Sequence, residues 1–301
     1  SAEDVRDALD VFYEISNQDG DVWWKAFAWY ERDNGEIVGW WKDGKWAAAP
    51  NGDWTRGNIG IRTGHNPFRM NDSAKYWGQR TDDGRFAFVG ISSGGDQRWP
   101  MVLSTSPDGV TYDRPIAVVA GDLPRQRYIN STWSDNKDGG LQYIRGLTPG
   151  ASENPPDTHM WITYSMGKED IWVAAIPTPV SDSVTGDVND DFEAMTPGGM
   201  INGWNIHSPQ WAPVKVVQDG TNKVLRLEDR DPVDYAKAFR VFEHSGQASV
   251  NFTLRPHQND SGRMEIDVVG RHGQRPVRLA FDPAGKILAN HGTTMTPVGA
   301  Y

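Results

Sequence analysis

Apolar and polar residues alternate with period two along most of this chain, the spacing of strands that bury one face. The stretch "VWWKAFAWYERDNGEIVGWWKDGKW" reads as strand, Asn34-Gly35 turn, strand, Asp43-Gly44 turn, strand. "KYWGQRTDDGRFAFVGI" is a hairpin around Asp83-Gly84, and "WPMVLSTSPDGVTYD" is another around Asp108-Gly109. "LQYIRGL" and "MWITYSMGKEDIWVAAIP" repeat the form. Helical spacing is confined to "SAEDVRDALDVFYEI", where Val5 and Leu9 stand four apart.

Aligning these stretches shows an internal repeat. Residues 74–113 run strand, turn, strand, the charged loop "SSGGDQR", strand, turn, strand. Residues 141–176 follow the same plan with the insert "TPGASENPPD" and the charged loop "SMGKED". Four antiparallel strands per roughly 60–70 residues is the period of a propeller blade, with an irregular β-sandwich as the alternative. "IPTPV" ends the repeats, and a polar, acidic linker spans 181–194. Beyond it "NKVLRLED", "KAFRVF", "ASVNFTLRP", "GRMEIDVVG" and "RPVRLAFDPAGKI" alternate regularly with few tryptophans, as in a sandwich. The expected fold class is all-β, with propeller blades followed by a β-sandwich. The expected domains are a partial propeller at 1–180 and a sandwich at 195–301. About three blades fit before residue 180, fewer than the four a closed propeller needs, which reads as a portion of a longer protein.

Composition narrows the partners. Across 301 residues the net charge is −10 and the pI about 5.1, which argues against nucleic acid and anionic membrane surfaces. No apolar run approaches the ~18 residues of a spanning helix. The absence of cysteine removes disulfides, thiolate chemistry and Cys-bound zinc. Fourteen tryptophans and 32 glycines fit short strands, tight turns and exposed aromatic surface. Sequence signatures of nucleophile elbows, zincins and nucleotide loops are missing.

At "TSPDGVTYD" the chain resembles the Asp-box repeat of sialidase-type propellers, Ser/Thr-x-Asp-x-Gly-x-Thr-aromatic. Thr105, Gly109, Thr111 and Tyr112 fit, with Pro107 at the aspartate position and Asp108 beside it. "NDSAKYWGQRTDDGRF" and "YSMGKEDIWVAAIPTPV" are similar to strings in secreted bacterial proteins that carry such propellers followed by a sandwich. "DDFEAM" and "GWNIHSPQWAPVKVV" resemble the start of a laminin-G or concanavalin-like domain. The resemblance implies a secreted or periplasmic carbohydrate-active protein whose partner is an oligo- or polysaccharide. Relatives include hydrolases, lyases and binders, so fold alone does not choose among them.

Blade topology sorts the charged residues. The turns "TDDG" and "SPDG" belong to one face. The loops "IRTGHNPFRMND", "SSGGDQRWP", "PRQRYINSTWSDNKDGG" and "SMGKEDI" belong to the other, where a mouth would lie. Arg62, Arg69, Lys75, Arg98, Arg127 and Lys168 collect there as candidate anion binders, since arginine's planar fork suits a carboxylate or sulfate. Trp77 is the candidate for stacking on a sugar. Asp72 and Glu169 are candidate acid and partner carboxylate, and His65 a candidate catalytic or substrate-bonding group. Tyr143 alternates with core positions and is expected to pack. "DVNDD" with Glu193 offers oxygens for a structural calcium, without an EF-hand's glycine; no cofactor is required. The leading expectation is an exo-acting glycoside hydrolase on an acidic or sulfated glycan. Alternatives are a lyase eliminating beside a uronate and a non-catalytic glycan binder.

Overall fold

The structure, a computed structural model, describes residues 28–40, 45–50, 62–65, 76–92, 98–120, 140–146, 158–167, 169–258, 261–270 and 273–301. Its regular elements are antiparallel strands, with no helix among the described residues. The helical spacing at residues 1–15 lies outside them.

Three blade-like sheets come first. The first runs β1 (Ala28–Glu31), β2 (Glu36–Trp40), β3 (Lys45–Pro50), β4 (Arg62–His65), each strand paired with its successor. The second repeats that order with β5 (Trp77–Arg80), β6 (Phe86–Ile91), β7 (Met101–Ser106) and β8 (Ile116–Val119). The third pairs β9 (Leu141–Gly146), β10 (His159–Met166) and β11 (Asp170–Pro177). β1 lies alongside β5, and β5 alongside β9. The first strands of the three sheets therefore lie next to one another, with β6 also reaching β9.

The turns explain why the sheets form here. Gly35 N–H donates to the Arg32 carbonyl at 2.9 Å and Arg32 N–H to that of Glu36 at 2.8 Å, while Gly35 holds φ +79°. Thr81–Arg85 closes in the same way around Gly84, φ +77°. A tight turn followed by one left-handed residue suits glycine and matches the twist of the flanking strands.

Sheets one and two share an aromatic core. Tyr30, Trp40, Tyr76, Phe86 and Phe88 are essentially inaccessible. Trp40 stacks tilted on Phe88 at 4.4 Å and edge-on to Tyr112 at 5.7 Å. Inside this knot the Tyr30 hydroxyl donates to the Gly109 carbonyl at 2.5 Å, accepts from Trp40 Nε1 at 2.9 Å and shares a hydrogen bond with the Tyr112 hydroxyl. Burial pushes Tyr30 and Tyr112 well above the ordinary phenol range and Tyr164 up to about 12. A raised pKa keeps its stabilising contribution below the unfolded value, 10.0, and loses it as pH rises through the folded one. Urea-unfolding midpoints are therefore expected to hold up to about pH 10 and to fall between about 10 and 12. A midpoint flat across that window would mean these phenols are not desolvated.

Two compact units divide the chain, Ser1–His244 and Ser245–Tyr301. After the third sheet the first unit adds β12 (Trp204–His207), β13 (Val214–Asp219), β14 (Asn222–Leu227) and β15 (Lys237–Arg240). β13 and β14 form a hairpin, and β12 pairs with β15. Ile201, Val214 and Val216 are their small core. The second unit is a four-stranded meander of β16 (Met264–Val268), β17 (Val277–Phe281), β18 (Lys286–His291) and β19 (Thr294–Ala300). All-β architecture, with blades first and sandwich-type sheets after, is thus the fold class. The segment read as 195–301 is shared between the two units. One predicted strand differs: "ASVNFTLRP" takes no ladder partner among the described residues. Its alternating Val250, Phe252 and Leu254 are 51, 51 and 38% exposed and belong to no buried core cluster among the described residues.

Candidate functional site

One end of the blade-like sheets is locked by their turns. Asp108 Oδ1 accepts the N–H of Val110 at 2.9 Å, the N–H of Thr111 at 2.7 Å and the hydroxyl of Ser106 at 2.9 Å; Oδ2 accepts the Thr111 hydroxyl at 3.1 Å. Asp108 thus closes this turn as the aspartate of an Asp-box would, in place of Pro107. The box here is Ser106-Pro107-Asp108-Gly109-Val110-Thr111-Tyr112, one residue shorter between aspartate and threonine than the pattern used on the sequence. Counting back from Gly109 and Thr111 by the longer spacing therefore lands on Pro107, one residue before the aspartate.

Around this box Arg32 donates to the Asp108 carbonyl and pairs with Glu36, Arg80 pairs with Asp33, and Arg85 pairs with Asp113. Partial burial alone would raise the Asp108 carboxyl, but the Thr111 and Val110 amides and the two hydroxyls outweigh it and hold it at about 2. A depressed carboxylate stabilises the fold above its ordinary value, 3.8, and that contribution disappears as pH falls toward about 2. Between about pH 4 and 2 the protein is expected to lose stability more steeply than Asp108→Asn does, measured by urea titration.

The opposite end has a different composition. Arg98 precedes β7 and lies at the end of the second sheet away from Asp83 and Asp108. Its carbonyl accepts the Leu141 N–H at 2.9 Å, and its guanidinium donates to Oε1 of the fully buried Gln142. Gly140 makes this approach possible, since a Cβ there would stand 2.5 Å from the Arg98 carbonyl oxygen. The Gly140 carbonyl in turn accepts the Gly167 N–H at 2.9 Å, and the Glu169 N–H closes on the Met166 carbonyl at 3.0 Å. Arg98, Gln142 and the Glu169 turn are thereby drawn to one end of adjacent sheets.

Tyr143 sits on the same half of β9 and does not pack as expected. It is 52% exposed with φ +56°. The β9–β10 register jumps from Arg145 opposite Thr163 to Gln142 opposite Ser165, so Tyr143 and Ile144 together face Tyr164. This is a β-bulge, a device that re-aims a side chain. Sequence alternation carries no sign of it. A bulky residue at positive φ costs energy that the surroundings must supply, and such residues cluster at functional sites.

The remaining candidates divide by position. Trp77 is taken up in packing: its indole donates to the buried Gln79 at 2.9 Å and occupies the space a Cβ on Gly146 would fill. Arg62 and His65 are the terminal residues of β4, opposite Ala48 and Lys45 of β3. Asp72, Arg69, Lys75, Arg127 and Lys168 lie outside the described residues. The acids proposed for calcium point to separate donors. Asp190 Oδ2 accepts Trp204 Nε1 at 3.0 Å and Arg240 Nε at 2.7 Å, Asp191 accepts the Glu193 N–H at 3.0 Å, and Glu193 accepts the Lys223 N–H at 2.8 Å.

Comparison with known proteins agrees with this architecture. Residues 204–301 match the family model for the sialidase-like carbohydrate-binding (CBM) domain. That family stands where the sequence suggested a laminin-G or concanavalin-like sandwich. A solved sialidase structure superposes with a TM-score of 0.74 and 29% identity, covering 91% of this chain. The chain spans 24% of that sialidase's length. No curated protein matches it. The fold is sialidase-like, and the C-terminal match points to carbohydrate.

Proposed function

We propose that this chain is part of a sialidase-like exo-glycoside hydrolase acting on an acidic glycan, with its first three sheets as blades of a propeller. The likeness to a sialidase across 91% of the chain carries this reading. The arrangement of the two ends supports it. One end is committed to the Asp108 turn and its ion pairs, while the other carries the Arg98 guanidinium on the buried Gln142 amide, the Glu169 turn and, next to Gln142 along β9, the exposed Tyr143. Arg98 would hold the carboxylate of the sugar by a forked, charge-assisted hydrogen bond. The Tyr143 hydroxyl would serve as nucleophile once a carboxylate accepts its proton, and Glu169 or Asp72 would act as the acid that protonates the leaving oxygen.

A second reading, a glycan binder without chemistry, is favoured by the match of residues 204–301 to a carbohydrate-binding family. One experiment separates the readings. The chain is incubated with aryl sialosides and a panel of acidic polysaccharides, and released aglycone, reducing ends, ultraviolet absorbance and bound polymer are read together. Release that Arg98→Ala reduces is the hydrolase result. Absorbance from an unsaturated product would mean elimination, and retention without turnover would mean binding. Neither turnover nor retention on any acidic glycan would overturn both proposals.

A further inference from the structure

The β12–β15 ribbon has two unlike faces. Ala236 and Ala238 turn inward against Ile201, Val214 and Val216. The alternate residues Tyr235, Lys237 and Phe239 therefore turn outward, as period two requires. Tyr235 is 43% and Phe239 41% exposed. The Lys237 ammonium lies between them, 4.4 Å from the Phe239 ring centre and 5.8 Å from that of Tyr235. Across the ribbon His207 stands opposite Lys237, and Asn205 opposite Phe239. His207 is fixed from two sides: Asp234 holds its Nε2 at 3.0 Å, and the Trp172 ring of β11 stacks on it at 4.7 Å and 13°. Asp234 is itself held by the Tyr235 N–H at 2.8 Å, so this carboxylate is engaged locally and does not confront an incoming anion alone.

Such a surface favours one kind of ligand. Two exposed rings on one face offer apolar area matched to the C–H faces of pyranose sugars, with few rotatable bonds to immobilise. An ammonium between the rings supplies charge where a ring-borne carboxylate would fall. Polar side chains interrupt the apolar area at every second position, unlike the centre of a protein–protein interface, which is depleted in charge. We propose that Tyr235, Lys237 and Phe239 form a binding site for a carboxylated pyranose, with the rings stacking on the sugar and Lys237 meeting its carboxylate. The proposal rests on the glycan-directed reading above and extends it to a site on a different sheet from Arg98.

Calorimetric titration of the full chain tests it, using sialyllactose and an oligogalacturonate as the two carboxylated ligands and lactose as the neutral control. Whichever acidic ligand binds identifies the source of the carboxylate. Lys237→Met is expected to weaken the acidic ligand about tenfold and to leave any lactose binding unchanged. Phe239→Ala is expected to weaken binding about tenfold, and Phe239→Tyr to retain it, which separates stacking from folding damage. If the unaltered chain binds an acidic saccharide and both Lys237→Met and Phe239→Ala bind it equally well, this site is wrong and the glycan-directed reading survives. If the unaltered chain binds neither acidic ligand, both fall.

Discussion

Alanine at Trp40 is expected to lower the unfolding free energy by about 3–5 kcal/mol, the range for deleting a large aromatic from a packed core. The indole is fully buried, touches Phe88 and Tyr112 across the boundary between the first two sheets, and donates its N–H to the Tyr30 hydroxyl. Its removal leaves a cavity and at once takes from the Tyr30 hydroxyl one of its three hydrogen-bond partners, the Gly109 carbonyl and the Tyr112 hydroxyl remaining. Tyr30→Phe keeps the ring and removes only the hydroxyl, leaving the Gly109 carbonyl and the Trp40 N–H without that partner; about 1–3 kcal/mol is expected. Denaturant titration of both variants, with attention to the slope, distinguishes packing from hydrogen bonding. A loss under about 1 kcal/mol for Trp40→Ala would mean that the first sheet folds independently of the second, against the contacts that join them.

That core also shows what the sequence can and cannot convey. Asn34-Gly35, Asp83-Gly84 and Asp108-Gly109 announce their turns, because only a few residues tolerate the left-handed backbone a tight hairpin requires. Alternation puts Phe86, Phe88, Met101 and Leu103 inside, and they are, but Ala87, Val89 and Val102 between them are inside too, because β6 and β7 are buried on both faces. It fails where the period breaks. At β9 the bulge puts Leu141, Gln142 and Ile144 all inside and Tyr143 outside, which no strict period of two can produce. Alternation also fails where an apolar face has no strand partner among the described residues, as at Val250, Phe252 and Leu254. The stacking of Trp172 on His207 joins residues from strands far apart in the chain, and spacing within either strand says nothing of it. The Asp-box was legible in composition but not in register, since hydrogen bonds to the side chain, and not a count of residues, define its aspartate.

Tyr143→Phe is expected to abolish turnover of an aryl sialoside, by on the order of 10³-fold or more in kcat, while leaving the melting temperature within a degree or two. The hydroxyl is the only difference between the side chains, so a loss of turnover with an intact fold places that oxygen in the chemistry. The backbone at this position adds a separate constraint. A tyrosine at φ +56° holds a conformation that costs a side chain with a Cβ about 1–2 kcal/mol, and glycine adopts it freely. Tyr143 is also half exposed, so little burial is forfeited on truncation. Tyr143→Gly should therefore leave stability unchanged or raise it by about 1 kcal/mol, while losing the same activity as Tyr143→Phe. A residue kept for packing would behave the other way, with Tyr143→Gly destabilised and Tyr143→Phe fully active, and that pair of results would remove Tyr143 from the site.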